Sequence, residues 1–219
     1  MAKTVRDILE LIKEKGIKMG DFKMVDINGQ YRHVTIPAEN FSEDTMKSGI
    51  GFDASNYGYA VVEKSDMVFI PDPDTAVVDP FCSIPTLSMT GNAMIIDSPQ
   101  NRPLAQYPRN IIKAAVEYMK NSGVADEMKI LPEFEFYLFD DVTWNVDGRY
   151  IGATVDAKQS YWNSDNEGHG VVVAKQKNYH IAKPFDTSYE CRSEMCLLMK
   201  EAGIDINYHH PEVAASGQF

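Results

Sequence analysis

Two glutamates stand one residue apart in Leu131-Pro132-Glu133-Phe134-Glu135-Phe136-Tyr137-Leu138-Phe139. A two-residue period predicts a strand over Lys129–Phe139 with both carboxylates on one face, roughly 6–7 Å apart, and Phe134, Phe136 and Leu138 on the other. Like charges so placed repel, and glutamate is a poor strand former. One reading is a solvated outer face over an aromatic inner one. The other is a pair of hard oxygen ligands for divalent cations. A second candidate segment is Tyr208-His209-His210-Pro211-Glu212. Adjacent histidines in an extended chain point to opposite sides, so His209 and His210 do not simply share a metal; Glu212 is the residue there that suits a cation. A third candidate is Asp53, in Gly51-Phe52-Asp53-Ala54-Ser55-Asn56-Tyr57-Gly58. An aspartate in such a loop commonly accepts hydrogen bonds from its own backbone. Asp66, Asp72, Asp74 and Asp79 have the same ordinary explanation.

The elements that must position these residues are legible in part. Thr4 and Asp7 make a capping pattern for a helix with Val5, Ile8, Leu9 and Ile12 on one face, stopped by Gly16. Asn28-Gly29 between Phe22–Ile27 and Tyr31–Ile36 predicts a hairpin, with Val25 and Ile27 sharing a buried face with Val34 and Ile36. Met67–Ile70, Ala76–Val78 and Asn92–Ile96 read as strands. Residues 1–104 are therefore expected to form a small domain with a mainly β core, and the proline-rich stretch from Ser98 to Pro108 to carry the boundary. Pro108 opens a helix with Ile111, Ile112, Ala115, Val116 and Met119 on its apolar face. Asp140 to Asn178, which includes Glu167-Gly168-His169-Gly170, shows little periodicity and is expected to be a functional loop. Thr187 and Glu190 suggest a capping box for a helix reaching Ala202, along which Cys191, Met195, Leu198 and Met199 keep helical spacing.

Composition bounds the chemistry. The 219 residues are 44% apolar and 24% charged, with 21 basic and 32 acidic side chains and a formal charge of −11. Such a surface disfavours nucleic-acid backbones and anionic membranes and favours small molecules or cations. No apolar run approaches the roughly 20 residues of a membrane helix. Cys82, Cys191 and Cys196 contain no C-x-x-C, so neither a disulfide framework nor a structural zinc site is expected. A cytoplasmic location is the expectation.

Taken in order, the motifs resemble glutamine synthetase of the bacterial type I class. Asp26-Ile27-Asn28-Gly29 with His33–Pro37 is similar to the family's N-terminal β-grasp hairpin, and Gly51–Ser55 resembles its F-D-G-S-S loop. Ser65-Asp66-Met67, Pro71-Asp72 and Thr75–Pro80 follow the family's next stretch. Leu131–Phe139 looks like G-P-E-P-E-F-F-L-F, Arg192-Ser193-Glu194-Met195 like R-S-E-M, and His209–Gln218 like H-H-H-E-V-A-T-A-G-Q. The resemblance implies an α+β fold: a β-grasp domain over residues 1–104, then over residues 105–219 the first half of a catalytic domain with an antiparallel sheet and helices. It implies ATP-dependent ligation of ammonia to the γ-carboxylate of glutamate through γ-glutamyl phosphate. The implied cofactors are a pair of Mg²⁺ or Mn²⁺ ions, with ATP as substrate. Glu135 and Glu212 would bind the ion nearer glutamate and Glu133 the ion nearer ATP. Asp53 would deprotonate ammonium, in a pocket with Asp66, Tyr179 and Glu212. The implied assembly is a homo-oligomer, a dodecamer of two hexameric rings.

The sequence departs from the family pattern at Ala54 and Asn56, at Leu131 and Phe134, at Lys177-Asn178 and His180 around Tyr179, and at Asn207 and Pro211. These departures keep open a γ-glutamyl ligase for another amine and a non-catalytic assembly or regulatory relative. The family's pattern continues past the position of Phe219, so the expectation is an N-terminal portion that is inactive by itself.

Overall fold

The computed structural model describes residues 3–163 and 172–214. The chain divides into two compact units, Met1–Lys129 and Ile130–Phe219.

In the first unit, α1 (Val5–Glu14) starts at a Thr4–Asp7 capping box and stops before Gly16, as its sequence predicts. Strands β1 (Met19–Val25) and β2 (Tyr31–Pro37) form the expected antiparallel hairpin. Its loop runs five residues, from Asp26 to Gln30, rather than the two of a tight turn. The Asp26 carboxylate organises it, accepting from the Asn28 and Gln30 backbone N–H groups and from Arg32 Nε at 2.9–3.0 Å. Those bonds, the Gln30 N–H foremost, hold Asp26 below the usual carboxylate range despite some burial. Gly29, at φ +83°, supplies the left-handed turn position.

The hairpin's buried face differs from the expected one. Val34 stands opposite Phe22 and Ile36 opposite Gly20, so Phe22 and Met24 enter the core, while Ile27 is exposed. The longer loop moves Ile27 out of the strand and shifts the parity of the inward set.

After α2 (Glu43–Ser48) come β3 (Ile50–Asp53), β4 (Asp66–Pro71), the short β5 (Val77–Val78), β6 (Thr86–Ile95) and the short β7 (Arg102–Pro103). The sheet order is β2-β1-β6-β4-β3, with β5 and β7 also paired to β6. β1 runs parallel to β6; the other pairings are antiparallel. β6 starts well before the expected Asn92. Phe22, stacked on Phe41 at 5.5 Å and edge-on to Phe69 at 6.4 Å, centres the core with Ile8, Met24, Leu87 and Met89. Each such fully buried side chain contributes about 1.5–3 kcal/mol. A second cluster gathers Ala54, Met67, Ala93, Leu104 and Tyr107. Gly91 lets β4 approach β6: a Cβ there would stand 2.2 Å from the Ile70 carbonyl oxygen. α3 (Pro108–Asn121) opens at Pro108 as predicted, but Ile111 and Ile112 on its apolar stripe are 50% and 59% exposed.

Among the described residues of the second unit, the segment expected as a strand to Phe139 joins no sheet beyond a bridge residue at Tyr137. Leu131 and Phe134 are 84% and 78% exposed. Alternation specifies two faces but does not supply the neighbouring strand that would extend the Tyr137 bridge into a ladder. The extended conformation survives locally, since Tyr137 and Phe139 stack at 5.6 Å with rings 8° from parallel.

The expected loop from Asp140 contains a hairpin, β8 (Asp141–Val146) with β9 (Ile151–Asp156). Its loop is the four residues Asp147–Tyr150, where Asp147 Oδ1 accepts from the Arg149 and Tyr150 N–H groups at 2.7 and 2.9 Å. Glu167–Gly170 lies outside the described residues. α4 (Tyr189–Glu201) begins after Ser188 without a side-chain cap, so the expected capping box is absent. Thr187 is instead drawn away, its hydroxyl donating to Gln159 Oε1 at 3.0 Å. The buried residue of α4 is Arg192, whose Nη2 donates to Asp186 Oδ2 at 2.5 Å. No helix among the described residues is long and apolar enough to cross a membrane.

Candidate metal centre

In the second unit, Glu133, His210 and Glu212 each bring a ligand atom to within 4.8 Å of the others. Glu133 comes from the extended segment before Tyr137; His210 and Glu212 come from the extended run after α4. His210 and Glu212 sit at i and i+2, so extended backbone places them on one side. Glu133 is exposed, whereas His210 and Glu212 are half-buried.

Several contacts fix His210. Its Nδ1 lies 2.9 Å from the Pro211 carbonyl oxygen and 3.5 Å from Glu212 Oε1. A carbonyl only accepts, so the neutral ring carries its proton on Nδ1 and its lone pair on Nε2. The ring packs against His180 at 4.3 Å, Tyr179 at 5.3 Å and Tyr208 at 6.0 Å between centroids. His180 stacks on Tyr179 at 4.1 Å, and its N–H donates to the Pro211 carbonyl at 3.1 Å. His180 has φ +55°, a left-handed conformation that a side chain with a Cβ adopts at a cost of roughly 1 kcal/mol or more. Strain of this kind collects where a site holds its residues in place.

His209 turns the other way, as expected for neighbouring residues. Arg192 Nε donates to its Nδ1 at 3.1 Å, and its Nε2 lies 3.3 Å from Ser193 Oγ. Burial, then the Arg192 charge, push the His209 pKa down, which keeps the ring a neutral acceptor. His180, Lys183, Tyr189, Arg192, His209 and His210 help to line a cleft of about 600 Å³ beside the cluster.

The donor set suits a divalent cation: two carboxylate oxygens and an imidazole nitrogen, close enough for one ion to reach all three after small adjustments. Of the residues expected to hold metal, the structure brings Glu133 and Glu212 together. Glu135 is not a member of this three-residue group. Tyr179 reaches the site through its ring contact with His210. His210 was not foreseen as a member, although its two-residue spacing from Glu212 was a usable signal. Ala215–Gln218 of the last motif lie outside the described residues.

In the first unit, Asp53 and Asp66 stand opposite each other at the end of the β3–β4 ladder. Asp53 Oδ1 accepts from the Ser55 hydroxyl at 2.7 Å and the Ser55 N–H at 2.9 Å, and Oδ2 from Asn56 Nδ2 at 3.3 Å. The Ser55 hydroxyl, then the Ser55 N–H and the Ser65 side chain, hold Asp53 below the usual carboxylate range. It is therefore an exposed, ionised carboxylate at neutral pH.

Comparison with known proteins finds two domains of one family along the chain. Residues 16–95 match the glutamine synthetase beta-Grasp domain, and residues 105–219 the glutamine synthetase catalytic domain. A 3-hydroxylaminophenol mutase of Cupriavidus pinatubonensis is 38% identical over all of this chain and 47% of its own length. A glutamine synthetase of Methylococcus capsulatus is 37% identical over 98% of this chain and 46% of its own. The cryo-EM structure of Plasmodium falciparum glutamine synthetase superposes with a TM-score of 0.78 at 22% identity, over 99% of this chain and 43% of that one. A GmaS/ADP complex gives 0.67 at 19% identity, over 97% and 42%. The chain thus spans about half the length of the curated relatives it matches. The α+β architecture is that of a β-grasp domain followed by catalytic-domain sequence. Six ordered motifs, two domain matches and relatives aligned along the whole chain agree: this chain belongs to the glutamine synthetase family.

Proposed function

We propose that the chain is the N-terminal portion of an ATP-dependent ligase that joins ammonia to the γ-carboxylate of glutamate through γ-glutamyl phosphate. The observation that carries this reading is the convergence of Glu133 and Glu212, from well-separated segments, on one point beside His210. Glu135 and Glu212 hold the cation nearer glutamate, and Glu133 holds the one nearer ATP. Neighbouring ions of such a pair lie about 3.5–4 Å apart, so carboxylates serving the two can themselves be close. Mg²⁺ or Mn²⁺, when bound, offsets the negative charge that gathers as a phosphoryl group passes to a carboxylate. Asp53, kept ionised by Ser55, first attracts ammonium and then accepts its proton. Asp66, opposite Asp53, adds negative charge to that pocket, to which Tyr179 and Glu212 also contribute. The substrates are glutamate, ammonium and ATP, in a cytoplasmic homo-oligomer of two hexameric rings.

The test uses the full-length form. ATP-, glutamate- and ammonium-dependent release of phosphate is expected, with glutamine as product. Glu135→Ala and Glu212→Ala should stay folded and lose metal-dependent turnover; near-normal turnover in both would overturn the assignment.

A second reading is a relative with a different nitrogen substrate. It is favoured by the Asp53 loop, where Ala54 is fully buried and Asn56 occupies Asp53 Oδ2. One relative is named a mutase rather than a ligase. Phosphate release that depends on a larger amine but not on ammonium would select another γ-glutamyl ligase. Isomerisation of an arylhydroxylamine without ATP would select the mutase chemistry. Folding and assembly with no turnover on any of these substrates would leave the non-catalytic relative.

A further inference from the structure

The hairpin motif Asp26-Ile27-Asn28-Gly29 takes no part in the proposed chemistry, yet its loop grips the turn that follows Asp53. We propose that Asp26 is a positioning residue for that turn. It acts through the backbone on either side of it to fix where the Asp53 carboxylate stands, a role that rests on the proposed reading only in taking Asp53 as the group that meets the amine.

Asp53 caps a single 3₁₀ turn, Ala54–Tyr57. The start of the turn is tied down by the Ala54 N–H, which donates to the Ser65 carbonyl at 2.9 Å. Its end leaves carbonyls that need donors. The Ile27 N–H supplies one, donating to the Tyr57 carbonyl at 3.0 Å. On the other side of Asp26, the Val25 carbonyl accepts from the Tyr59 hydroxyl at 2.8 Å. Burial pushes the Tyr59 pKa up to about 12, so this phenol remains a donor at neutral pH. The neighbours of Asp26 thus hold Tyr57 and Tyr59 from both sides. Gly58 lies between those two at φ +78°, where an added Cβ would stand 2.5 Å from Ile27 Cγ2. Loop and turn are seated so closely that a side chain at Gly58 has no room.

Asp26 sets the direction of both grips. It is 2% exposed, and its carboxylate accepts from the Asn28 and Gln30 N–H groups and pairs with Arg32. A buried charge is tolerated when its oxygens are satisfied in this way. Ile27, by contrast, is 59% exposed, so its place is set by the loop and not by core packing. The competing explanation is that Asp26 closes its own hairpin and nothing more. Its loss would then leave residues 55–58 undisturbed.

The experiment compares Asp26→Ala with Asp26→Asn, which keeps an acceptor oxygen for the two N–H groups. In the 219-residue chain, Asp26→Ala should shift the amide NMR signals of residues 55–58. It should also cut the exchange protection of the Ile27 amide about tenfold or more, while Asp26→Asn stays near wild type. In the full-length form, Asp26→Ala should raise the KM for ammonium about fivefold or more and leave those for glutamate and ATP within about twofold. Asp26→Asn should restore the ammonium KM. A purely structural role would lower kcat through loss of folded enzyme and leave every KM unchanged. Far-UV circular dichroism shows which variants fold. Should Asp26→Ala not fold, Asp26→Ser, whose hydroxyl holds such a turn more weakly, is scored by the same two readouts. Unmoved amides at residues 55–58 would overturn the proposal. So would an unchanged ammonium KM where Asp53→Ala raises it. An ammonium KM unchanged in Asp53→Ala itself would instead overturn the reading of Asp53, while shifted amides would still uphold the grip of Asp26 on the turn.

Discussion

Asp53 and Asp66 are register partners across two antiparallel strands, two carboxyl groups on facing backbone positions. Burial alone would raise the Asp53 carboxyl pKa, yet it is lowered. Hydrogen bonds to the charged form win, the Ser55 hydroxyl first and the Ser55 N–H second. Ser55→Ala should therefore raise the Asp53 pKa, read from its carboxyl resonance by NMR. A depressed pKa stabilises the fold above the unfolded value, and that gain is lost as pH falls through the folded one. The stability difference between wild type and Ser55→Ala should thus be present at neutral pH and shrink on acidification below the ordinary carboxylate range. An unchanged Asp53 titration would refute the assignment of cause.

Arg192 and Asp186 form a buried pair, with side chains only 4% and 6% exposed. Arg192→Ala leaves a buried carboxylate without this partner and should cost about 3–5 kcal/mol. Both tryptophans, Trp144 and Trp162, belong to the second unit, so urea unfolding followed by their fluorescence reads this loss directly.

Gly91 and Gly51 make a matched pair in the first unit. A Cβ at Gly91 meets backbone at 2.2 Å, whereas one at Gly51 meets nothing within 4 Å. Gly91→Ala should destabilise by about 1–3 kcal/mol and Gly51→Ala by no more than about 0.5 kcal/mol. Far-UV circular dichroism during denaturation separates them.

Assayed alone, the 219-residue chain should release no phosphate with ATP, glutamate and ammonium. Among its described residues, one cluster of three ligands gathers, whereas the proposed reaction uses a pair of ions. Measurable glutamine formation by the purified chain would contradict this.

In the full-length form, we expect Asp53 to complete a site that belongs to a neighbouring subunit. Mixed Asp53→Ala and Glu135→Ala subunits should then recover up to about a quarter of wild-type activity, given random mixing and independent interfaces. Mixed assembly is first demonstrated by native mass spectrometry. No recovery in proven mixed oligomers would mean that each site is built within one chain.

Local rules were legible in the sequence. The Thr4–Asp7 cap, the hairpin around Asn28-Gly29 and the Pro108 helix start depend on a few adjacent residues, and the structure has all three, the hairpin with a longer loop than a tight turn. What depended on partners was not. The parallel pairing of β1 with β6 has no local signature, and the alternation around Glu133 could not reveal that, among the described residues, the segment pairs only through the Tyr137 bridge. The β8–β9 hairpin was missed although Asp147-Gly148 between alternating runs marks it. At the candidate site, Glu133 and Glu212 stood out as carboxylates in apolar surroundings. His210 carries a two-residue spacing to Glu212, but its adjacency to His209, which points the other way, hides that pairing in the sequence.

Strand β6 receives β1, β4, β5 and β7. During synthesis, β1 is complete roughly sixty residues before β6 begins, an interval of several seconds at common translation rates. Through that interval the edge of β1 that later pairs with β6 is open, and Phe22 and Met24 lack the Leu87 and Met89 of their core cluster. Closing so long a loop is slow, and the rate at which β6 docks should govern how fast the first unit matures. Nascent chains shorter than Ile95 are accordingly the forms in which chaperone contact and misassembly concentrate.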